Sequence, residues 1–164
     1  MFMPIITFAT SDPAIDGRQS QIALEIRNGV IRGMRDRGLV FIPEFTLPKG
    51  RRADLIGLDA KGNITIVEIK SSVADYNADS KWFEYAEFCD QFYFASHPSV
   101  PSEIFPEQEG FILADKHGCE VIRDAERSSL SAATRKSLMI KIARASAEKL
   151  QRITDFHGDA GLTK

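Results

Sequence analysis

The chain has 164 residues, of which 43% are hydrophobic, 27% charged and 9% aromatic, and its formal net charge is −2. This is ordinary globular composition, and the length is sufficient for one domain with its own hydrophobic core. The charge balance excludes a strongly basic protein that coats nucleic acid, although it permits a local basic face.

The cysteines and the N-terminus favour a protein that is not exported. Cys89 and Cys119 lack CxxC spacing, which favours reduced thiols over a zinc knuckle or a disulfide framework. Residues 1–7 lack the features of a signal peptide, and no stretch approaches the roughly 18 apolar residues of a membrane span. We therefore expect a cytoplasmic protein with a single domain over residues 1–157 and a disordered tail over residues 158–164.

A long helix is the first predicted element. Asp12 is a suitable N-cap, because proline follows it at the first helical position. Gly29 and Gly33 lie near the apolar stripe of this helix and permit close packing, and Gly38 ends it after Arg37. The stripe has the spacing of an amphipathic helix and consists of Ile15, Ile22, Ile26, Val30 and Met34.

Three strands are predicted after this helix. The turn between the second and third strands, Ala60-Lys61-Gly62, has the length and terminal glycine of a common hairpin loop. The three segments are Leu39–Phe45, Arg52–Leu58 and Ile64–Ile69.

The rest of the chain completes an α/β pattern. Residues 71–79 are polar and turn-like, and a second helix is predicted from the spacing of Trp82, Tyr85, Ala86 and Cys89. The order helix, three strands, helix, strand predicts one mixed sheet. The remaining elements are a buried strand Gln91–Ala95, a hairpin of Gly110–Ala114 with Cys119–Arg123, and a final helix Ser131–Thr154.

The register of the first hairpin predicts an acidic site. Counting outwards from its turn, Ile56 opposes Ile66, Asp54 opposes Glu68, and alternation places Lys70 on the same face. Opposed carboxylates on an otherwise apolar face repel each other, and a divalent cation would offset that repulsion. Such a site suits phosphodiester hydrolysis. A strand-end Glu-x-Lys alone is more often a solvated edge, and a one-residue slip in register would separate the acids.

Two segments of this hairpin resemble a nuclease signature. Ala53-Asp54-Leu55 followed by Ile66-Val67-Glu68-Ile69-Lys70 resembles the PD-(D/E)xK motif, with alanine where proline is usual. The restriction-endonuclease-like core of that superfamily, which is helix, three-stranded meander, helix and strand, corresponds in order to residues 13–95.

A closer resemblance is to the MmcB-like family, which is described as DNA-repair endonucleases. It spans most of the chain and implies a Mg²⁺-dependent deoxyribonuclease, with Mn²⁺ as a substitute metal and DNA as the partner. The segments that carry it are Gly50-Arg51-Arg52-Ala53-Asp54-Leu55, Val67-Glu68-Ile69-Lys70-Ser71-Ser72 and Lys81-Trp82-x-Glu84-Tyr85.

The resemblance implies a role for each matching residue. Asp54 and Glu68 correspond to the metal-binding acids, the carbonyl of Ile69 to a further ligand, and Lys70 to the catalytic lysine. Glu25 corresponds to a helical glutamate that many members use, and it is equally compatible with a solvated helix charge.

Other residues are candidates for minor roles. Glu44 joins the acids by alternation along the first strand. Lys81 and Tyr85 occupy the spacing at which RecB-like members carry glutamine and tyrosine, although Tyr85 also suits a hydrophobic core. Arg51 and Arg52 lie beside the acids and are candidates for contacts with DNA phosphates.

The final helix is a second candidate for DNA contact, with six basic residues and one acid between Ser131 and Thr154. The alternative is a solvated helix face, which is the commoner meaning of scattered charge. The basic residues are Arg135, Lys136, Lys141, Arg144, Lys149 and Arg152.

Two other functions remain open. One is a catalytically silent DNA-binding module that reuses the nuclease fold. The other is a protein-interaction domain in which Asp54 and Lys70 form a structural ion pair across the hairpin. Other repair proteins and a second copy of the chain are possible partners.

Overall fold

The computed structural model describes residues 20–159, which form a six-stranded mixed sheet with helices on both faces. The strands lie in chain order across the sheet. The third, fourth and fifth strands are parallel to one another, and the outer neighbours are antiparallel. In chain order the helices and strands are α1 (Gln21–Gly33), β1 (Val40–Thr46), β2 (Arg52–Leu58), β3 (Ile64–Lys70), α2 (Val73–Ala78), β4 (Gln91–Ser96), β5 (Gly110–Ala114), β6 (Cys119–Arg123) and α3 (Ala132–Asp159).

This order confirms the predicted α/β fold, in which a helix, a three-stranded meander, a helix and a strand follow one another on one mixed sheet with a C-terminal helix. Three short 3-10 helices connect the main elements, and they span Met34–Arg37, Trp82–Phe88 and Ser102–Ile104. The ends of the predicted strands differ from the observed ones by at most one residue.

The first helix is shorter than predicted. Its N-cap is Ser20, whose hydroxyl accepts the backbone N–H of Ala23, so α1 begins at Gln21. The predicted cap Asp12 and the stripe residue Ile15 lie outside the described residues. Gly38 follows the 3-10 helix Met34–Arg37 in the left-handed conformation, with φ of 76°, as the predicted stop requires.

The predicted second helix is wrong in type and position. The short α-helix α2 lies in the segment for which the sequence predicts a turn. The Ser72 hydroxyl accepts the N–H of Asp75 and thereby caps the N-terminus of this helix. The following segment is a 3-10 helix, whose three-residue period places Trp82, Tyr85 and Phe88 against the sheet while Ala86 is exposed. The three aromatic side chains therefore reach the core because they are three residues apart in a 3-10 helix.

The core has two halves, one on each face of the sheet. On one face, Ile26 and Val30 of α1 pack against Leu55, Val67 and Ile69. On the other face, the aromatic side chains of the 3-10 helix Trp82–Phe88 and of β4 pack together with α3. The buried residues of this second half include Ile56, Ile66, Phe92, Phe94, Leu138 and Ile142.

The last helix is longer than predicted, because α3 continues through Asp159. Of the predicted tail, residues 160–164 lie outside the described residues. Both cysteines are free thiols, with Cys89 buried and Cys119 partly exposed. A search of the described residues found no helix with the length and apolar character needed to cross a bilayer.

Candidate active site

The hairpin of β2 and β3 has the predicted register. Leu55 pairs with Val67 and Ile56 with Ile66, and the turn is closed by a bond from the Asp59 N–H to the Asn63 carbonyl. Beyond these pairs the carboxylates themselves bridge the two strands. Glu68 Oε1 accepts the N–H of Asp54 at 3.2 Å, and Asp54 Oδ2 accepts the N–H of Ile69 at 2.8 Å.

The strand alternation is interrupted beside these acids, which the sequence pattern did not predict. Ala53 packs in the same half of the core as Ile56, whereas Leu55, between them, packs in the other half. The neighbouring edge strand is irregular at the same level, where Glu44 has φ of 56°. Asp54 therefore lies at a local twist of the sheet rather than on a strictly alternating face.

Asp54, Glu68 and Lys70 line one cavity of about 280 Å³ at the end of β3. The cavity lies between the first turn of α1 and the start of α2, so both helices and the hairpin form its walls. Its lining residues are Ser20, Ala23, Asp54, Glu68, Ile69, Lys70, Ser71 and Asp75. The two acids, the lysine and the Ile69 backbone that the sequence pattern selected are thus in one place.

Lys70 is buried, with 5% of its surface exposed. Its ammonium Nζ lies 2.8 Å from Asp79 Oδ2 and 3.9 Å from Glu68 Oε2. The cross-strand ion pair of Asp54 with Lys70, expected for a purely structural hairpin, is replaced by these two contacts. The lysine is held by the segment after β3 and not by the opposite strand.

The two carboxylates have abnormal acidity. Burial raises the pKa of Asp54 to about 6, opposed by the N–H bond from Ile69. Burial, and then the negative charge of Asp54, raise the pKa of Glu68 well above the usual range. Burial alone would lower the pKa of Lys70, but the hydrogen bond to Asp79 and the charge of Glu68 outweigh it and raise the pKa. Both acids therefore hold a proton more readily than an ordinary carboxyl group does.

This donor set fits a divalent metal ion in chemical type. Asp54 and Glu68 supply carboxylate oxygens and Ile69 supplies a carbonyl, which are the hard ligands that Mg²⁺ and Mn²⁺ prefer. The raised pKa values of both acids fit as well, since a bound cation would favour their charged forms. Among residues 20–159, no group of three or more His, Cys, Asp or Glu side chains is arranged to hold a metal. The site would thus rely on a backbone oxygen and water.

Neither of the two additional glutamates predicted for the site lines the cavity, although the charge of Glu44 contributes to the raised pKa of Asp54. Glu25 is not among the described residues that line the cavity, and its carboxylate accepts a hydrogen bond from Gln21 on the exposed side of α1. Glu25 lies two residues after the cavity-lining Ala23, and residues two apart on a helix do not share a face. Glu44 pairs with Arg52 at 2.7 Å, so it is the partner of a cation rather than a member of the cavity wall.

The basic residues beside the acids are engaged within the chain. Arg51 bonds to Asp79 and Glu84, each at 3.2 Å, and its guanidinium lies 4.7 Å from the centre of the Tyr85 ring. Tyr85 is buried, and its hydroxyl donates to the carbonyl of Arg52. The predicted substrate contacts Arg51, Arg52 and Tyr85 therefore hold the start of β2 in place, whereas Lys81 is exposed.

The basic residues of α3 divide into two groups. Arg135 is bound to the buried carboxylate of Asp90, and Lys149 donates to the carbonyl of Pro43 in β1, so these two attach the helix to the sheet. Lys136, Arg144 and Arg152 are exposed on the helix. Their charges face solvent, although Arg144 lies 3.8 Å from the Glu148 carboxylate, and Lys141 is only partly exposed.

Sequence analysis missed two acids of the site. Asp75 lines the cavity, and its carboxylate is fixed by the N–H and hydroxyl of Ser71. Asp79 binds both Lys70 and Arg51. Both belong to the segment that had been predicted as polar and turn-like, and its acids at positions 75 and 79 were the one available signal.

Comparison with known proteins places the chain among DNA repair proteins. A family model described as "DNA repair protein MmcB-like" matches residues 10–157. The solved structure of a protein of unknown function from Silicibacter pomeroyi has a TM-score of 0.81 and 38% sequence identity, over 85% of this chain and 96% of that one. A repair endonuclease from Pyrococcus abyssi gives a TM-score of 0.35 and 19% identity, over 51% of this chain and 41% of that one.

Proposed function

The chain belongs to the family of MmcB-like DNA repair proteins, and from that premise we propose that it is a metal-dependent endonuclease that hydrolyses phosphodiester bonds in DNA. The observation that carries this proposal is the cavity shared by Asp54, Glu68 and Lys70. The two carboxylates form a site for a cation, and the buried ammonium beside them is a positive group that can contact a phosphate. A hairpin with a purely structural role requires neither.

Asp54, Glu68 and the carbonyl of Ile69 would hold Mg²⁺, or Mn²⁺ in its place. When bound, the ion supplies polarisation of a phosphoryl oxygen and a coordinated water of lowered pKa. The bonds from the Asp54 and Ile69 N–H groups fix one oxygen of each carboxylate, which leaves the other oxygen of each for a ligand. The acids are therefore preorganised by the backbone.

Lys70 has the second role at the site. Its ammonium donates hydrogen bonds, so it orients a nucleophilic water or a phosphate oxygen and offsets the negative charge that grows on phosphorus oxygens during attack. Burial excludes bulk water around the ammonium and strengthens this effect. The lysine thus works beside the acids without being a metal ligand.

DNA would be held by exposed cations other than Arg51 and Arg52, because both arginines are bound to carboxylates of the chain. Lys81 is an exposed cation that lies two residues after Asp79, which contacts Lys70. The exposed residues Lys136, Arg144 and Arg152 of α3 supply a second phosphate-binding surface. The overall charge of −2 favours such localised contacts over general attraction to DNA.

A catalytically silent DNA-binding module is the second candidate. The observation that favours it is that no three acidic, histidine or cysteine side chains among residues 20–159 are arranged to hold a metal. Asp75 lines the cavity, but its carboxylate is bound to Ser71. A module of this kind would bind DNA and leave it intact.

Plasmid, fork and single-stranded DNA incubated with the purified protein and Mg²⁺ or Mn²⁺ would distinguish the two. We expect cleavage that EDTA abolishes and that Glu68→Gln reduces by at least about 100-fold. Glu120→Gln, on the exposed side of β6, is the matched control and should cleave as the wild type does. Binding without cleavage of any substrate in either metal would contradict the endonuclease and support the silent module.

A metal titration tests the cation site independently of cleavage. Mg²⁺ or Mn²⁺ at about 100 times its dissociation constant should raise the free energy of unfolding of the wild type by about 2.7 kcal/mol. The same ions should leave Asp54→Ala nearly unchanged, because its ligand oxygens are missing. An equal increase in both proteins would place the metal elsewhere.

A further inference from the structure

Asp79 lies at the centre of a network that joins three parts of the chain. Its Oδ2 accepts a hydrogen bond from the Lys70 ammonium at 2.8 Å. Its Oδ1 accepts one from the Arg51 guanidinium and one from the N–H of Lys81, at 3.2 and 3.1 Å. One carboxylate thus contacts the end of β3, the residue before β2 and the start of the segment that carries Lys81.

Lys70 depends on this carboxylate for its position. A lysine side chain has a flexible four-carbon stem, and a buried ammonium needs a partner. Among the described residues, Glu68 is the other acid in an ion pair with Lys70, but its Oε2 is 3.9 Å from Nζ, which is beyond hydrogen-bond distance. Asp79 therefore determines where the ammonium lies relative to the two acids.

Arg51 in turn holds Asp79. The side chain of Arg51 is largely buried, and it lies between the Tyr85 ring and the carboxylates of Asp79 and Glu84. Asp79 also has only 16% of its side chain exposed. Lys70 binds one oxygen of the Asp79 carboxylate and Arg51 binds the other, and the two contacts together restrict its rotation. A shift of Arg51 at the start of β2 would therefore move Asp79 and, with it, the Lys70 ammonium.

We propose that Asp79 is a positioning residue of the site, which aims the Lys70 ammonium at the space beside Asp54 and Glu68 and couples that aim to the start of β2 through Arg51. The effect of this positioning on catalysis rests on the proposed endonuclease function. Asp79 acts through Lys70 and touches neither metal ligand by hydrogen bond in the described contacts. Its removal should free the ammonium and leave both carboxylates bridged.

The first experiment measures the position of Lys70 without any substrate. Wild type, Asp79→Asn, Asp79→Ala and Glu84→Gln are acylated briefly with an amine-reactive ester, and modification of Lys70 is followed by mass spectrometry of peptides. We expect labelling of Lys70 to rise several-fold in Asp79→Ala and less in Asp79→Asn, which keeps an acceptor. Glu84→Gln keeps an amide oxygen for Arg51 and leaves the Arg51–Asp79 and Lys70–Asp79 contacts in place, so it should label as the wild type does.

The second experiment measures cleavage kinetics of the same proteins. Because misplacing a reactive group by about 1 Å costs on the order of 100-fold in rate, we expect a loss of that size in kcat for Asp79→Ala with KM little changed. Circular dichroism and melting temperature show whether each variant is folded, and Asp79→Asn serves if Asp79→Ala does not fold.

The outcomes separate the inference from the function on which it rests. Faster labelling of Lys70 together with a kcat loss supports both. Faster labelling in a protein whose wild type cleaves no DNA overturns the endonuclease while supporting the positioning role. Unchanged labelling of Lys70 in folded Asp79→Ala and Asp79→Asn overturns the positioning role whatever the cleavage rate, and so does equal labelling in Glu84→Gln and Asp79→Ala.

Discussion

The carboxylate of Glu68 accepts the backbone N–H of Asp54, although the two residues come from different strands. The carboxylate of Asp54 accepts the N–H of Ile69 in return. Side chains thus bridge the strands at the end of the paired hairpin, and the bridge holds two negative groups close together where little water reaches them. The arrangement is costly to the fold, and we interpret that cost as evidence of function.

The first prediction is that neutralising one acid stabilises the protein. Asp54→Asn removes the repulsion from Glu68 and the penalty of a buried charge, and the amide oxygen still accepts the Ile69 N–H. In metal-free buffer near pH 7.5 we expect the free energy of unfolding to rise by about 1 to 2 kcal/mol. Urea denaturation measures it. Asp155→Asn on the exposed side of α3 is the control and should have no effect, whereas destabilisation by Asp54→Asn would show that the carboxylate supports the fold.

The second prediction separates a DNA contact from a structural arginine. Lys81→Gln removes an exposed charge, so it should weaken binding to all DNA sequences alike and reduce the salt slope of binding by about 1. Fluorescence anisotropy over a range of salt concentrations measures this slope.

Arg51→Gln is the matched comparison. Arg51 is tied to Asp79, Glu84 and the Tyr85 ring, so its loss should lower the free energy of unfolding by about 1 to 2 kcal/mol and leave the salt slope unchanged. A lower salt slope in Arg51→Gln, with unchanged stability, would make Arg51 the phosphate contact.

Local signals in the sequence were sufficient to place the two acids. The glycine of the turn at Gly62, which has φ of 82°, and the alternating isoleucines of β2 and β3 determine the register. From that register the proximity of Asp54 and Glu68 follows by counting. The period of three in Trp82, Tyr85 and Phe88 was also present, but it resembles an amphipathic α-helix over so short a segment.

The ion-pair partners of the charged residues could not be predicted from the strand register. Asp79 contacts Lys70 because α2 ends at Ala78 and its C-cap, Asp79, lies next to the end of β3. No periodicity specifies where a short helix ends. The same holds for Arg51. Its position beside the acids suggests a phosphate contact, but its carboxylate partners, Asp79 and Glu84, come from a distant part of the sequence. Ion pairs between elements depend on tertiary packing, so sequence patterns identify the charges without identifying their partners.

The third prediction concerns the contact of α1 with the β5–β6 turn. A Cβ at Gly29 would lie 2.2 Å from the carbonyl oxygen of Asp115 and 2.6 Å from that of Gly118, both backbone atoms. In an exposed helix, Gly→Ala gains about 1 kcal/mol, but Gly29→Ala should cost at least about 2 kcal/mol because backbone must move. Thermal and urea unfolding measure the difference. Asn28→Ala, one position earlier on the exposed side, is the control, and a stabilised Gly29→Ala would show that the helix and turn are not in close contact.

The fourth prediction concerns a buried ion pair far from the cavity. The carboxylate of Asp90 accepts the N–H groups of Ile64 and Leu130 and two bonds from the Arg135 guanidinium, which fastens α3 to the sheet. Burial alone would raise the pKa of Asp90, but the bonds from Arg135 and from the two N–H groups outweigh it and lower the pKa. The charged carboxylate therefore stabilises the fold.

The sign of the pH dependence follows from this lowered pKa. The stabilisation by Asp90 is complete above the ordinary carboxyl pKa of about 3.9, and it is lost as the pH falls through the lower value of the folded protein. Asp90→Ala should lower the free energy of unfolding by about 3 kcal/mol at pH 7, and its difference from wild type should shrink below pH about 4. Urea denaturation between pH 7 and about 2.5, within the range that acid unfolding permits, measures the difference. Asp90→Asn, which keeps the shape and cannot ionise, distinguishes charge from packing: if the wild type loses no stability relative to Asp90→Asn on acidification, the ion pair is not what attaches α3.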